Sequence, residues 1–174
     1  MTASPAPPAD PCAFQWPLRV YWEDTDAGGV VFYANYLKFF ERARTEWLRA
    51  LGVGQQALRA DTGAIFIVSQ TALRYLAPAR LDDHLSVSVQ VRSAGRASMT
   101  LFQQVWKLPA EAAPPGQAGA PPQLLAEGSI RIGCVDAGTF RPVRIPTAVL
   151  SVLTPSLAPE SPAAHRRPAH DEHP

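Results

Sequence analysis

Residues 18–52 read LRVYWEDTDAGGVVFYANYLKFFERARTEWLRALG, and the change of hydrophobic period inside this stretch decides the fold. Leu18, Val20 and Trp22 alternate with Arg19, Tyr21 and Glu23, the period-two pattern of a half-buried strand. Gly28 and Gly29 break it. From about Ala34 the pattern is helical: Tyr36, Phe40, Ala43, Trp47 and Leu51 form one stripe, widened by Leu37, Phe39 and Leu48. Arg42 and Glu46, at i and i+4, belong on the outer side, and Gly52 is a C-terminal stop. A stripe this wide predicts a helix gripped on more than one side.

Downstream the period returns to two. Strands are expected at 65–76, at 84–92 (Leu85, Val87, Val89, Val91), at 97–107 and at 123–135, with a shorter one near 140–145. Pro146 then starts a last short helix to about Leu153. One long early helix followed by four or five antiparallel strands is an α+β plan. Strands this long curl around the helix and leave an edge that needs a partner, so a homo-oligomer is expected.

The 18 prolines divide the chain: four lie in residues 1–11, five in 109–122 and five in 155–174. Residues 1–13 read as a disordered arm and 154–174 as a disordered tail, because Pro, Ala and charge leave nothing to bury. The tail holds His165, His170 and His173, which read as solvated rather than metal-binding. A single domain is expected over 14–153, with 109–122 as a loop insert between strands. Hydrophobic residues make up 47% of the 174, enough for a core. Sixteen Lys and Arg against fifteen Asp and Glu leave +1, with no field to hold nucleic acid or an anionic membrane. Cys12 and Cys134 alone form neither a disulfide framework nor a four-ligand zinc site. No apolar run reaches the roughly 18 residues of a membrane span, and no basic n-region of a secretory signal precedes Arg19. These features predict a soluble protein of the reducing cytoplasm.

The chemistry-bearing cluster is Glu23-Asp24-Thr25-Asp26-Ala27-Gly28-Gly29, at the strand-to-helix turn. Three readings are open. D-x-D-x-G begins like a calcium loop, but the twelfth position is Asn35 instead of Glu and no helix precedes it. An Asp-Gly turn can be purely structural, its carboxylates accepting backbone N–H bonds. A catalytic carboxylate beside a helix start is the third: the glycines let a ligand approach, and the helix N-terminus suits a developing oxyanion. Other routes are poorly supplied. His84 follows Leu81-Asp82-Asp83 and reads as a turn residue, and Cys134 reads as a small core residue. No G-x-S-x-G, H-E-x-x-H, G-x-G-x-x-G or P-loop pattern is present. Arg92-Ser93-Ala94-Gly95-Arg96-Ala97-Ser98 supplies two arginines around a glycine, which is either a phosphate contact or a solvated turn.

The run from Arg19 to Arg49 closely resembles the signature of hot-dog-fold acyl-CoA thioesterases. It is most similar to the YbgC-like branch, associated with the Tol–Pal cluster of Gram-negative bacteria, within the 4-hydroxybenzoyl-CoA thioesterase family. The likeness continues through Tyr75-Leu76-Ala77-Pro78-Ala79-Arg80-Leu81-Asp82-Asp83 and Gly95-Arg96-Ala97-Ser98, covering roughly residues 16–150. The resemblance implies a long helix wrapped by a curved antiparallel sheet of five to six strands, in dimers joined edge to edge or in tetramers. It implies that Asp26 is the catalytic carboxylate and that the backbone N–H of Tyr33 polarises the thioester carbonyl. At Tyr33 many YbgC-like sequences have His, whereas the hydroxybenzoyl branch carries an aromatic residue. Asn35 and Tyr36 shape the site or cap the helix, and Arg96 and Arg92 meet the CoA phosphates. The expected partners are an acyl-CoA substrate, further copies of the chain and, as an alternative acyl donor, an acyl carrier protein. No metal or redox cofactor is implied. Two other functions share the fold: a hydratase or dehydratase, which leans on a site His, and a non-catalytic acyl-CoA or acyl-carrier-protein binding module.

Overall fold

The structure, a computed structural model, describes residues 13–109 and 121–153. The expected arm and tail, and most of the 109–122 insert, lie outside the described residues. Five strands form one antiparallel sheet: β1 (Phe14–Arg19), β2 (Ala64–Tyr75), β3 (His84–Ala94), β4 (Ser98–Lys107) and β5 (Gln123–Asp136), in the order β1-β3-β4-β5-β2. The long helix α1 (Asn35–Ala50) lies against one face of it, with α2 (Gln55–Thr62) after it and α3 (Thr147–Leu153) at the end. This is the α+β hot-dog arrangement.

The inward positions of each strand follow from the register. Leu18 opposes Leu85 and Trp16 opposes Val87 across β1 and β3, while Leu101 opposes Ile130 across β4 and β5. Leu85, Val87, Leu101 and Ile130 are fully buried, as are Phe39, Phe40 and Ala43 of α1. Each such large side chain contributes roughly 1.5–3 kcal/mol by leaving water. Helix and sheet come so close at Gly128 that a Cβ there would stand 2.9 Å from the Ala72 carbonyl oxygen and 3.3 Å from the Phe40 ring. Only glycine fits at that crossing. The helical stripe is buried at Tyr36, Phe40, Ala43 and Trp47, and α1 ends at Gly52 with a φ of +79°. Leu37 is instead 41% exposed, on the flank of α1 toward the outer strand.

Four details differ from the sequence reading. The first strand is Phe14–Arg19, not the 18–23 stretch: the chain leaves the sheet after Arg19 and Trp22–Asp24 is a 3₁₀ turn, with Trp22 79% exposed. Pro17 hid the start of the strand, yet β1 is an edge, where a missing N–H is tolerated. Helix α2 carries one buried residue, Leu58, so it has no stripe to read; Gly54 and Gly63 flank it. The expected strand near 140–145 reduces to a bridge between Val135 and Pro142, because Phe140 takes a φ of +57° and Pro142 and Pro146 carry no donor. Glu46 pairs with Arg49 rather than with Arg42.

The two sheet edges differ. β2 is exposed without a break from Ile67 to Ala72, including Val68 at 49%. A twelve-residue edge strand of this kind presents an unpaired ladder beside apolar side chains.

Candidate active site

After β1 the chain is tied back to the segment preceding β3: the Val20 N–H donates to the Asp83 carbonyl at 3.0 Å, and the Asp82 N–H donates to the Val20 carbonyl at 3.1 Å. The two aspartates of the turn then separate. Asp24 is buried, and its carboxylate accepts the Tyr21 N–H at 2.9 Å. Its carbonyl accepts the Phe32 N–H and the Asn35 Nδ2, each at 2.9 Å. Asp24 therefore staples the 3₁₀ turn to the start of α1. Asp26 is exposed; its Oδ1 accepts the Gly28 N–H at 2.8 Å, an Asx turn. Gly29 follows with a φ of +72°, its N–H donating to the Asp26 carbonyl at 3.0 Å. A bridge between Thr25 and Val31 closes the loop. One carboxylate is thus buried in the turn and the other, two residues on, is exposed with one oxygen on the Gly28 N–H.

Beyond the loop, the N–H groups of Val31, Phe32 and Asn35 are taken by Ala79, Asp24 and Phe32. Those of Tyr33 and Ala34 donate to no acceptor among the described residues. Ala34 is the N-cap and offers no side-chain cap. Two successive free N–H groups at the positive end of a 16-residue helix make a preformed anion-stabilising corner. Tyr33 also lines a groove of about 310 Å³, with Val31, Tyr36, Tyr75, Leu76, Ala77 and Pro78. Asp26 is not in that lining; the Thr25–Val31 bridge links its loop to it.

Tyr36 is 2% exposed, and its hydroxyl accepts the Ala79 N–H at 3.0 Å; burial holds its phenol above the usual range. Asn35 is also buried, bonded through its amide to the Asp24 carbonyl. Of the residues expected at the site, the structure brings Asp26, Tyr33, Asn35 and Tyr36 together at one end of the sheet.

Arg92 and Arg96 lie at the other end. Arg19, where β1 stops, opposes His84 at the start of β3. The β3–β4 hairpin lies beyond Ala94, about 33 Å further along an 11-residue strand. There the Arg92 guanidinium stacks on the Phe102 ring at 4.7 Å, and the Arg96 carbonyl accepts the Ile145 N–H at 2.8 Å. Both side chains are exposed.

Two features escaped the sequence reading. Tyr75, the last residue of β2, donates its hydroxyl to the Tyr33 carbonyl at 3.0 Å. An aromatic residue closing a strand before Leu76-Ala77-Pro78 was the available signal. The second is Arg44, which no sequence pattern singled out. Its guanidinium donates to Gln103 Oε1 at 2.9 Å, and Gln103, fully buried, donates to the Phe40 carbonyl at 3.1 Å. Burial lowers the Arg44 pKa from its usual value. Arg44 borders a cavity of about 510 Å³ between α1 and β2, shared with Leu37, Lys38, Glu41 and Val68. No isolated sequence pattern announces a contact between residues 59 apart.

The sequence profile of the thioesterase-like superfamily matches residues 20–153. The chain is 40% identical over 138 residues to an acyl-CoA thioester hydrolase YbgC of Escherichia coli O6:H1, covering 79% of this chain and 93% of that relative. It is 39% identical over 136 residues to an acyl-CoA thioesterase YbgC of Haemophilus influenzae, covering 78% of this chain and 90% of the relative. In fold it is similar to a 1,4-dihydroxy-2-naphthoyl-CoA thioesterase from Synechocystis, with a TM-score of 0.68 at 21% identity, over 81% of this chain and 95% of that one.

Proposed function

The chain belongs to the thioesterase-like superfamily, and from that premise we propose that it hydrolyses acyl-CoA thioesters to a free carboxylic acid and CoA. Its likeness to relatives named acyl-CoA thioester hydrolases supports the reaction class. The observation that carries the reading is an exposed carboxylate, Asp26, followed seven and eight residues later by the free N–H groups of Tyr33 and Ala34, with the Thr25–Val31 bridge closing the loop between them.

In this reading the thioester carbonyl oxygen sits against the Tyr33 N–H, where the positive end of α1 stabilises the charge that develops on it. The acyl group lies in the groove between Tyr33, Tyr36 and Tyr75. Asp26 acts by one of two routes. As a nucleophile it forms a C–O bond, the C–S bond breaks, CoA leaves as thiolate and water then opens the mixed anhydride. As a general base it takes a proton from water, which attacks the carbonyl directly, and the tetrahedral intermediate then breaks its C–S bond and releases CoA as thiolate. A single turnover in ¹⁸O-labelled water separates them: the base route labels the product acid at once, whereas water attack on the aspartyl carbon of the anhydride labels Asp26 first.

The assembly completes the site. Antiparallel pairing of two β2 edges about a twofold axis turns the second sheet end for end. The second copy's β3–β4 hairpin then comes to the end of the sheet where Asp26 lies. Arg96 and Arg92 would in that way meet the CoA phosphates of a substrate bound at the other copy's turn, and a homotetramer would contain two such dimers. An acyl carrier protein is the alternative acyl donor, and the cytoplasm the compartment.

The test is thiol release from a panel of acyl-CoAs, with the wild-type protein and Asp26→Asn side by side. Release by the wild type that collapses in the folded variant is the expected result. Hydration of an enoyl-CoA without thiol release would replace hydrolysis by the hydratase reading. Tight acyl-CoA binding with neither reaction would make the chain a binding module.

A further inference from the structure

Three tyrosines meet where β2 ends beside the start of α1, and one of them touches the backbone that carries the free N–H groups. The Tyr75 hydroxyl donates to the Tyr33 carbonyl at 3.0 Å, across 42 residues of chain. The Tyr36 ring stands edge-on to that of Tyr75, centroids 5.4 Å apart, and its own hydroxyl is taken by the Ala79 N–H. The Ala79 carbonyl in turn accepts the Val31 N–H at 2.9 Å. Residues 31–36 are therefore held at three points by residues 75–79. Two of those points, at Val31 and Tyr36, flank the free N–H groups. The third, at Tyr33, adjoins them.

We propose that Tyr75 is a positioning residue: by holding the Tyr33 carbonyl it fixes the plane of the Tyr33–Ala34 peptide and so aims the neighbouring N–H groups at the thioester oxygen. The inference rests on the hydrolase reading above. A peptide unit is planar, so a carbonyl held on one edge sets the direction of the N–H on the other, here that of Ala34. A carbonyl that accepts a hydrogen bond also polarises its peptide, which makes the same N–H a stronger donor. The Tyr33 N–H lies one Cα away and shares the fixed φ and ψ. The segment needs such an anchor, because it follows Gly28 and Gly29, where the backbone is least restricted. Burial and the neighbouring Tyr33 phenol hold the Tyr75 phenol above its usual range, so the donor keeps its proton across neutral pH.

Tyr75→Phe deletes the hydroxyl and keeps the ring in the groove. We expect kcat to fall about tenfold, as for a donor pair left poorly aimed, with KM within twofold. In the same folded variant the ¹⁵N-resolved amide proton of Ala34 is expected to move upfield, as its peptide loses polarisation. A kcat within twofold of wild type, a change confined to KM, or an unmoved Ala34 amide would each overturn the assignment. If the variant melts early, 3-fluorotyrosine at position 75 keeps the ring and strengthens the donor. Then the Ala34 amide should move downfield, and an unmoved amide would again overturn the proposal. A wild-type protein inactive on every acyl-CoA would sink the hydrolase reading and the catalytic half of this one, while the Ala34 amide still decides whether Tyr75 holds the peptide.

Discussion

The two ends of the sheet carry similar polar motifs in the sequence and opposite structures. At one end, residues 20–36 are tied to β2's end and to the run before β3 by the Tyr75 and Tyr36 side chains and by backbone bonds of Val20 with Asp82 and Asp83 and of Val31 with Ala79, while the Asp24 carboxylate ties the turn to itself at Tyr21. At the other, the Arg92–Ser98 hairpin is held mainly by backbone bonds, the Gly95 N–H donating to the Ser98 carbonyl and the Ile145 and Cys134 N–H groups to the Arg96 and Ala97 carbonyls, each at 2.8 Å, and both arginines are exposed, Arg92 against the Phe102 ring. Density of side-chain ties, rather than density of charge, marks the end where geometry is held. Groups that must act on a bond being broken belong at the tied end, and groups that attract a distant phosphate can stay at the loose one.

The sharpest way to break this contrast is Asp26→Asn. It keeps shape and removes the charge at the tied end, so kcat should fall by roughly 10²–10⁴ in a folded protein. Steady-state kinetics with a thermal melt checks it, and a near-wild-type kcat would move the chemistry elsewhere. A second test asks whether the two ends cooperate across a β2–β2 dimer. Light scattering should give at least twice 18.8 kDa for the wild type. Val68→Lys, a charge on the exposed edge, should shift the mass toward one chain and lower kcat/KM with it. A wild-type monomer that is fully active would mean that each sheet works alone.

Asp24→Ala sharpens the division of labour within the tied end. It leaves the Tyr21 N–H without its acceptor, so the cost should be about 1–3 kcal/mol in stability, read by chemical denaturation, with kcat per folded molecule less affected than by Asp26→Asn. The reverse order would exchange the roles of the two aspartates. The smallest effect is expected at the loose end. Arg96→Ala should raise KM for acyl-CoA several-fold, less so at high salt, with kcat nearly constant, because an exposed charge–phosphate contact is screened. An acyl-pantetheine thioester without the nucleotide should be indifferent to the substitution. Equal losses on both substrates would make Arg96 structural.

The sequence by itself determined the elements whose residues repeat with a clear period. The stripe from Tyr36 to Trp47, the alternations of β3, β4 and β5 and the glycine stop at Gly52 all report which side of a local backbone faces the core, and that is a local property. The motif around Asp26 was legible for the same reason, since a turn, its glycines and the helix start lie within a dozen residues. Elements that bury little, such as α2 with Leu58 alone, left no pattern to read. Only the tertiary structure separated Asp24 from Asp26 in their surroundings: Asp24 is buried with its carboxylate on the Tyr21 N–H, and Asp26 is exposed. Only it placed Tyr75 on the Tyr33 carbonyl, Arg44 on Gln103, and the arginine hairpin at the far end of the sheet from the turn. Each of these depends on strand order and register, which bring together residues tens of positions apart, and no period within one segment encodes such a meeting.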